Sequence, residues 1–167
     1  MGILVISSDF ENGRIRISQT SESKEDLDNF IAAYEAMYIN HLLGITMATD
    51  FINDLVDRVP QSEKYLEIYN PFTKEIGDHM FTSLGMKEMI KGFIYVDFIA
   101  MQPIQNTPLG NVKNIAEVSE GIDNRIPSAV VYNQSVKTSD AIQYYIEDNS
   151  DTYPDFDGIH KEMTGIL

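Results

Sequence analysis

Cysteine and tryptophan are both missing from this sequence. Without cysteine there is no disulfide, no thiolate metal site and no thiol nucleophile. Basic residues are scarce: 12 Lys and Arg stand against 26 Asp and Glu, a formal net charge of −14. That balance argues against a surface built to grip a phosphate backbone or an anionic membrane, because both are held by Lys and Arg. It leaves open work beside DNA that repels rather than binds it. Long apolar runs are lacking too. The best candidate, Met89 to Met101, is broken by Lys91 and Asp97 and is too short to span a bilayer. The opening "MGILVISS" lacks a basic signal-peptide stretch, and Ile6 stands where N-myristoylation wants Ser or Thr. A soluble intracellular product is expected.

Familiar catalytic patterns are also absent. His41, His79 and His160 are far apart, with no metal-ligand spacing among them. His41 falls on an apolar stripe and reads as a packed, satisfied histidine. There is no G-x-S-x-G, P-loop or G-x-G-x-x-G. The stretch "DTYPDFDG" fails as a calcium loop. With Gly158 at loop position six, Tyr153 falls where the first acid belongs and Thr164 where the last Glu belongs. Acidic pairs such as Asp26 and Asp28 read as helix capping rather than as acid–base pairs. No enzyme, metal or cofactor is expected.

What is present is a chain of 167 residues, 43% of them hydrophobic, enough for one domain with a real core. The expected fold is mainly α: about four helices in a bundle, with a short N-terminal strand or hairpin and a long extended loop before the C-terminal helix. The whole of 1–167 reads as a single domain, with 1–22 as an arm, 103–127 as the loop and 149–167 as a tail. Asn12-Gly13 signals a tight turn, and "RIRIS" after it alternates as a strand does. Ser23 reads as the cap of a first helix that ends at Gly44, a left-handed stop. That helix carries one apolar stripe through Leu27, Phe30, Ile31, Tyr34, Met37, Tyr38, His41 and Leu42, and a second through Ala32, Ala36, Ile39 and Leu43. Two stripes imply a helix covered on both sides, by its own fold or by a neighbouring subunit.

A second helix is expected from about Thr46 to Val59, stopped by Pro60. Residues 61–82 are mixed, with a turn at Asn70-Pro71 and aromatics that fold the connection back on the body. A third helix, about Leu84 to Gln102, is apolar nearly all round and belongs at the centre. Lys91 and Asp97 on it must find polar partners or a gap. The segment "LGNVKNIAEVS" fits extended strands. A last helix runs from about Ser128 to Asp148. From Gln134 to Asp157 there are six acids and one base.

Four stretches in this order resemble a known family: "DFENGRIRISQ", "DLDNFIAAYEAMYINHLLG", "GMKEMIKGFIYVDFIAMQPIQNTPLGNVK" and "AIQYYIEDNSDTYPDFDG". They are similar to head–tail connector, adaptor or neck proteins of tailed phages, as found in phages of Bacteroidetes. The matching features are the helix ending in Leu42-Leu43-Gly44, the apolar helix after Gly85, the Thr107–Gly110–Val112-Lys113 loop and Tyr153-Pro154-x-Phe156. The pattern departs from the family's at "DNRIP" and "MTGIL". The resemblance implies a virion structural protein, made in the host cytoplasm, that self-associates in a ring beneath the portal and lines the DNA exit channel. The ring is expected to be twelve-fold. Its partners would be the portal protein and the next neck or tail protein, with DNA passing through unbound and no membrane involved. The candidate interface residues are Ile39, Leu43, Leu109, Val112, Tyr153 and Phe156. Glu147, Asp148, Asp151, Asp155 and Asp157 are the candidate acidic lumen or exposed face. The competing reading is an acidic helical inhibitor or DNA mimic that occupies a basic partner.

Overall fold

A computed structural model of the chain describes residues 2–13, 15–17, 21–101, 104–107, 110–113 and 127–157. The fold is mixed but mainly α. Among the described residues there are five α-helices: α1 (Ser21–Leu43), α2 (Ile45–Asn53), α3 (Glu63–Tyr69), α4 (Met86–Met101) and α5 (Ser128–Asp148). Three antiparallel ladders of two strands each punctuate them: β1 (Leu55–Val56) with β2 (Val59–Pro60), β3 (Phe72–Ile76) with β4 (His79–Ser83), and β5 (Ile104–Thr107) with β6 (Gly110–Lys113).

The centre is α4, as its all-round apolar sequence demands. Met86, Met89, Ile90, Phe93, Ile94, Tyr95 and Phe98 are all buried on it. It packs against α5 and α1. Gly92 permits the approach to α5, since a Cβ there would lie 1.9 Å from Ser135 Oγ. The facing side of α5 is small and polar, with Ser135, Thr138 and Ser139 buried. Lys91 and Asp97 find the expected partners. Lys91 Nζ lies 2.9 Å from Glu88 Oε1, and Asp97 accepts a hydrogen bond from the Tyr38 hydroxyl of α1.

Several expectations need correction. No strand or hairpin forms in the described part of 1–17. A 3-10 turn (Ser7–Phe10) stands there, and Leu4, Val5 and Phe10 are fully buried in the common core. The turn at Asn12-Gly13 does occur, with Gly13 at φ 98 and Ile17 N–H returning to the Phe10 carbonyl at 3.0 Å. What replaces strand pairing is a carboxylate. Glu35 on α1, only 1% exposed, accepts N–H bonds from Ile3, Leu4 (2.7 Å) and Val5 (2.8 Å). Helix α1 begins at Ser21, so Ser23 lies inside it rather than capping it. Gly44 has the foreseen positive φ of 78, but its ψ of 164 is extended, a region that only glycine enters freely.

The second helix stops at Asn53, well short of Val59. Asp57 and Arg58 take positive φ of 50 and 68, which makes a tight turn between β1 and β2. Asp54 fixes the hairpin's base by accepting the N–H groups of Gln61 and Ser62, both at 2.8 Å. The mixed stretch 61–82 resolves into α3 and the β3–β4 hairpin, whose turn holds Gly77 at φ 59. Alternation of half-buried and exposed residues along Phe72–Ile76 is the mark of that ladder. The boundaries expected for the third and last helices agree with α4 and α5 to within two residues. The extended loop between them contains the β5–β6 pair, in register from Ile104 opposite Lys113 to Thr107 opposite Gly110.

Candidate functional site

A cleft of about 540 Å³ opens between α1, α4 and α5. Its floor is apolar. Met89 and Phe93 come from α4, Leu42 from α1, and Val136 from α5. Their positions follow from helical spacing. Met89 and Phe93 are four apart, and on α5 Val136, Ser139, Asp140 and Gln143 share one face at three- and four-residue steps. Polar groups stand on the walls. Gln143, 4% exposed, donates from Nε2 to the Leu42 carbonyl at 3.2 Å, which satisfies one of the orphan carbonyls at the end of α1. Ser139, 9% exposed, lies one turn away on the same wall. Asp140 and Asp157 bring two carboxylates to the lining, and no Lys or Arg lines it among the described residues. Met37 and Ile45, 38% and 75% exposed, carry the apolar surface out over the rim.

One end of the cleft is closed by the chain after α5. Turn hydrogen bonds from Thr152 and Tyr153 N–H to the Asn149 carbonyl reverse its direction. Tyr153, 3% exposed, then donates its hydroxyl to the Lys64 carbonyl at 2.7 Å, pinning the segment to α3. That brings Asp157 against Gly44, where a Cβ would meet the Asp157 backbone at 2.9 Å. Beside this anchor Tyr145 donates to Glu67 Oε2 at 2.6 Å, and Lys74 Nζ sits 3.9 Å from the Tyr145 ring centre. Burial raises the pKa of the Tyr153 hydroxyl well above the usual tyrosine value. Tyr65 is pushed up to about 12, by burial first and then by the negative field of Asp50, Asp54 and Asp155.

The structure separates the residues singled out in the sequence. Ile39 and Leu43 are fully buried in the chain's own core, so the second stripe of α1 is covered from within rather than by a neighbour. Ala32 is exposed and Ala36 half-buried, so that stripe does not continue toward the start of the helix. Tyr153 is likewise an internal anchor, and Phe156 is half-buried against the core. Val112 lies on β6, while Leu109 lies outside the described residues. Glu147, Asp148, Asp151, Asp155 and Asp157 are all exposed, and Asp157 alone among them lines the cleft. His41 is not the packed histidine expected; it is exposed at the cleft's edge.

Two features escaped the sequence reading. Glu35 left a signal, an acid sitting in register with Ile31, Ile39 and Leu42 on a buried face. The cleft left almost none, because it exists only where three helices meet. Among the described residues no group of three or more His, Asp or Glu is placed to hold a metal ion. No described helix is long and apolar enough to cross a membrane. The arrangement suits binding: apolar contact below, hydroxyl, amide and carboxylate groups around it.

No protein-family model, curated protein or solved structure matches the chain.

Proposed function

We propose that this chain is a structural protein of a tailed-phage particle, a connector that forms a ring between portal and tail. The observation that carries the reading is the β5–β6 hairpin. It falls in the Thr107–Gly110–Val112-Lys113 stretch on which the family resemblance rests, between the two helices α4 and α5. Among the described residues its sheet consists of those two strands, and the edge of such a hairpin can pair with a strand of another chain. In the connector, α1, α4 and α5 form the core of a helical bundle and the hairpin reaches a neighbouring subunit or the portal. The exposed acids at the end of α5 face the channel, where a repulsive wall lets DNA slide without sticking.

The test is cryo-EM of the neck of purified particles, with mass spectrometry for copy number. A ring of copies between portal and tail, with the hairpin crossing a subunit boundary, is the expected result. Absence from the particle overturns it. A fixed small complex with one basic protein in the infected cell would then favour the inhibitor reading. A ring whose acids face outward would remove the channel argument alone.

A further inference from the structure

We infer that the cleft between α1, α4 and α5 is the seat of the chain's own last segment, residues 158–167, which docks its apolar side chains on the floor of Met89, Phe93 and Val136. Connectivity selects this occupant. The described chain arrives at the cleft itself: Asp157 is part of the lining and lies against Gly44, at the end of α1. Consecutive Cα atoms are about 3.8 Å apart, so the chain beyond Asp157 starts at the rim. Ten residues follow it in the sequence, "GIHKEMTGIL". Along α1 the lining runs back from Leu42 to Met37, about 8 Å at the helical rise. Ten residues cover that distance in any conformation, with about 15 Å as a helix and about 33 Å extended.

The segment's sequence matches the floor. Ile159, Met163 and Ile166 follow one another at steps of four and three, and Leu167 comes four after Met163, the spacing that gathers apolar side chains on one side of a helix. The cleft, at about 540 Å³, has room for several of them. Met37 and Ile45, 38% and 75% exposed, extend the apolar surface over the rim where the segment enters. Tethering favours this occupant over any free one. A segment fixed at the rim is present at an effective concentration of roughly millimolar, which an equivalent segment of another molecule must exceed to displace it. The cleft is then closed in the free chain and opens to another apolar ligand only when the segment leaves. Contacts within the free chain and copy number in particles are separate measurements, so the docking stands or falls apart from the connector reading.

The test is NMR of the full chain with labelled methyl groups. Nuclear Overhauser contacts should join Met163 and Leu167 to Met37, Met89 or Val136, and should persist on dilution. Met163→Ser with Leu167→Ser should remove those contacts and shift the Met37, Met89 and Val136 methyl resonances, while circular dichroism shows an unchanged fold. A neutral apolar dye, N-phenyl-1-naphthylamine, should bind this variant about tenfold more tightly than the wild type, because the competing segment is gone. Met37→Arg, at a partly exposed position, should loosen the same contacts from the cleft side. Contacts of the segment with another surface, or cleft methyl resonances indifferent to the serine substitutions, would overturn the inference. Equal dye binding by wild type and variant would do the same. Contacts that vanish on dilution would place the segment in the cleft of a second copy and overturn docking within one chain.

Discussion

In the N-terminal segment five consecutive backbone N–H groups end on carboxylates: Ile3, Leu4 and Val5 on Glu35, Ile6 on Asp9, and Ser7 on Asp28. Around the end of α5 the carboxylates of Glu147, Asp148, Asp151, Asp155 and Asp157 face solvent instead. Each of these acids counts the same toward the formal charge of −14. Their physical roles differ. The first set replaces the ladder that a paired N-terminal strand would have supplied, and one of its members is buried to do so. The second set costs little in solvation, because its members lie at the exposed surface. Net charge alone therefore says nothing about which acids are structural.

The largest effect should come from Glu35. Glu35→Ala leaves the N–H groups of Ile3, Leu4 and Val5 without their acceptor and is expected to cost about 3–5 kcal/mol. Denaturant unfolding should show it, and amide exchange should show residues 3–5 losing protection. Glu35→Gln separates charge from geometry. Burial, outweighing the three backbone N–H bonds, raises the Glu35 carboxyl above its ordinary value of 4.5. The folded state thus holds a proton that the unfolded state has released, over the window from 4.5 up to the folded value. Stability from this group is fully present below 4.5 and is lost as pH rises through that window. The wild type should therefore gain on Glu35→Gln as pH falls from neutral toward 4.5. A difference that stays flat with pH would mean that Glu35 is not the buried carboxylate described here.

Asp54 is an intermediate case, a partly exposed acid with a structural task. Its carboxyl is lowered by the Ser62 side chain first, then by the Ser62 and Gln61 N–H groups and Lys64. A lowered value works with the opposite sign. Its contribution is present above the unfolded value of 3.8 and is lost as pH falls through the folded one. Asp54→Ala should cost about 1 kcal/mol at neutral pH, the range of a lost cap. The gap to wild type should close in acid. A cost that persists at low pH would place the effect in packing rather than charge.

How much of this was legible in the sequence follows from which forces act locally. Helices α4 and α5 were readable because their apolar pattern is continuous, and Pro103 follows the end of α4. The β1–β2 hairpin was not, because Asp57-Arg58 is not a customary turn pair. Its left-handed backbone is held by the tertiary bonds of Asp54 rather than by local preference. The N-terminal strand was expected from alternation in "RIRIS", yet Ile17 returns its N–H to the Phe10 carbonyl, while Ile3, Leu4 and Val5 donate theirs to Glu35 on α1. Of the candidate site, the exposed acids near the end of α5 were visible. The apolar residues chosen as interface were not separable from core, since Ile39 and Leu43 differ from surface leucines only in what packs on them. The cleft needs three helices in place before it exists.

The smallest effect on stability should come from the acids that the sequence made most conspicuous. Asp151 and Asp155 are exposed after α5, in a segment that also carries Asp148 and Asp157. Asp151→Asn with Asp155→Asn removes repulsion and no described hydrogen bond. The melting temperature should hold at physiological salt and rise slightly at low salt, where screening is weak. The long-range field of the chain should respond instead. Association with a basic peptide should slow at low salt, through loss of long-range attraction, and the loss should vanish as salt is added. Marked destabilisation by this pair would erase the distinction between acids that hold the fold and acids that face outward. A stable variant with slower, salt-sensitive association would sharpen it, because the same substitution type at Glu35 and at Asp155 would then read out two different physical roles.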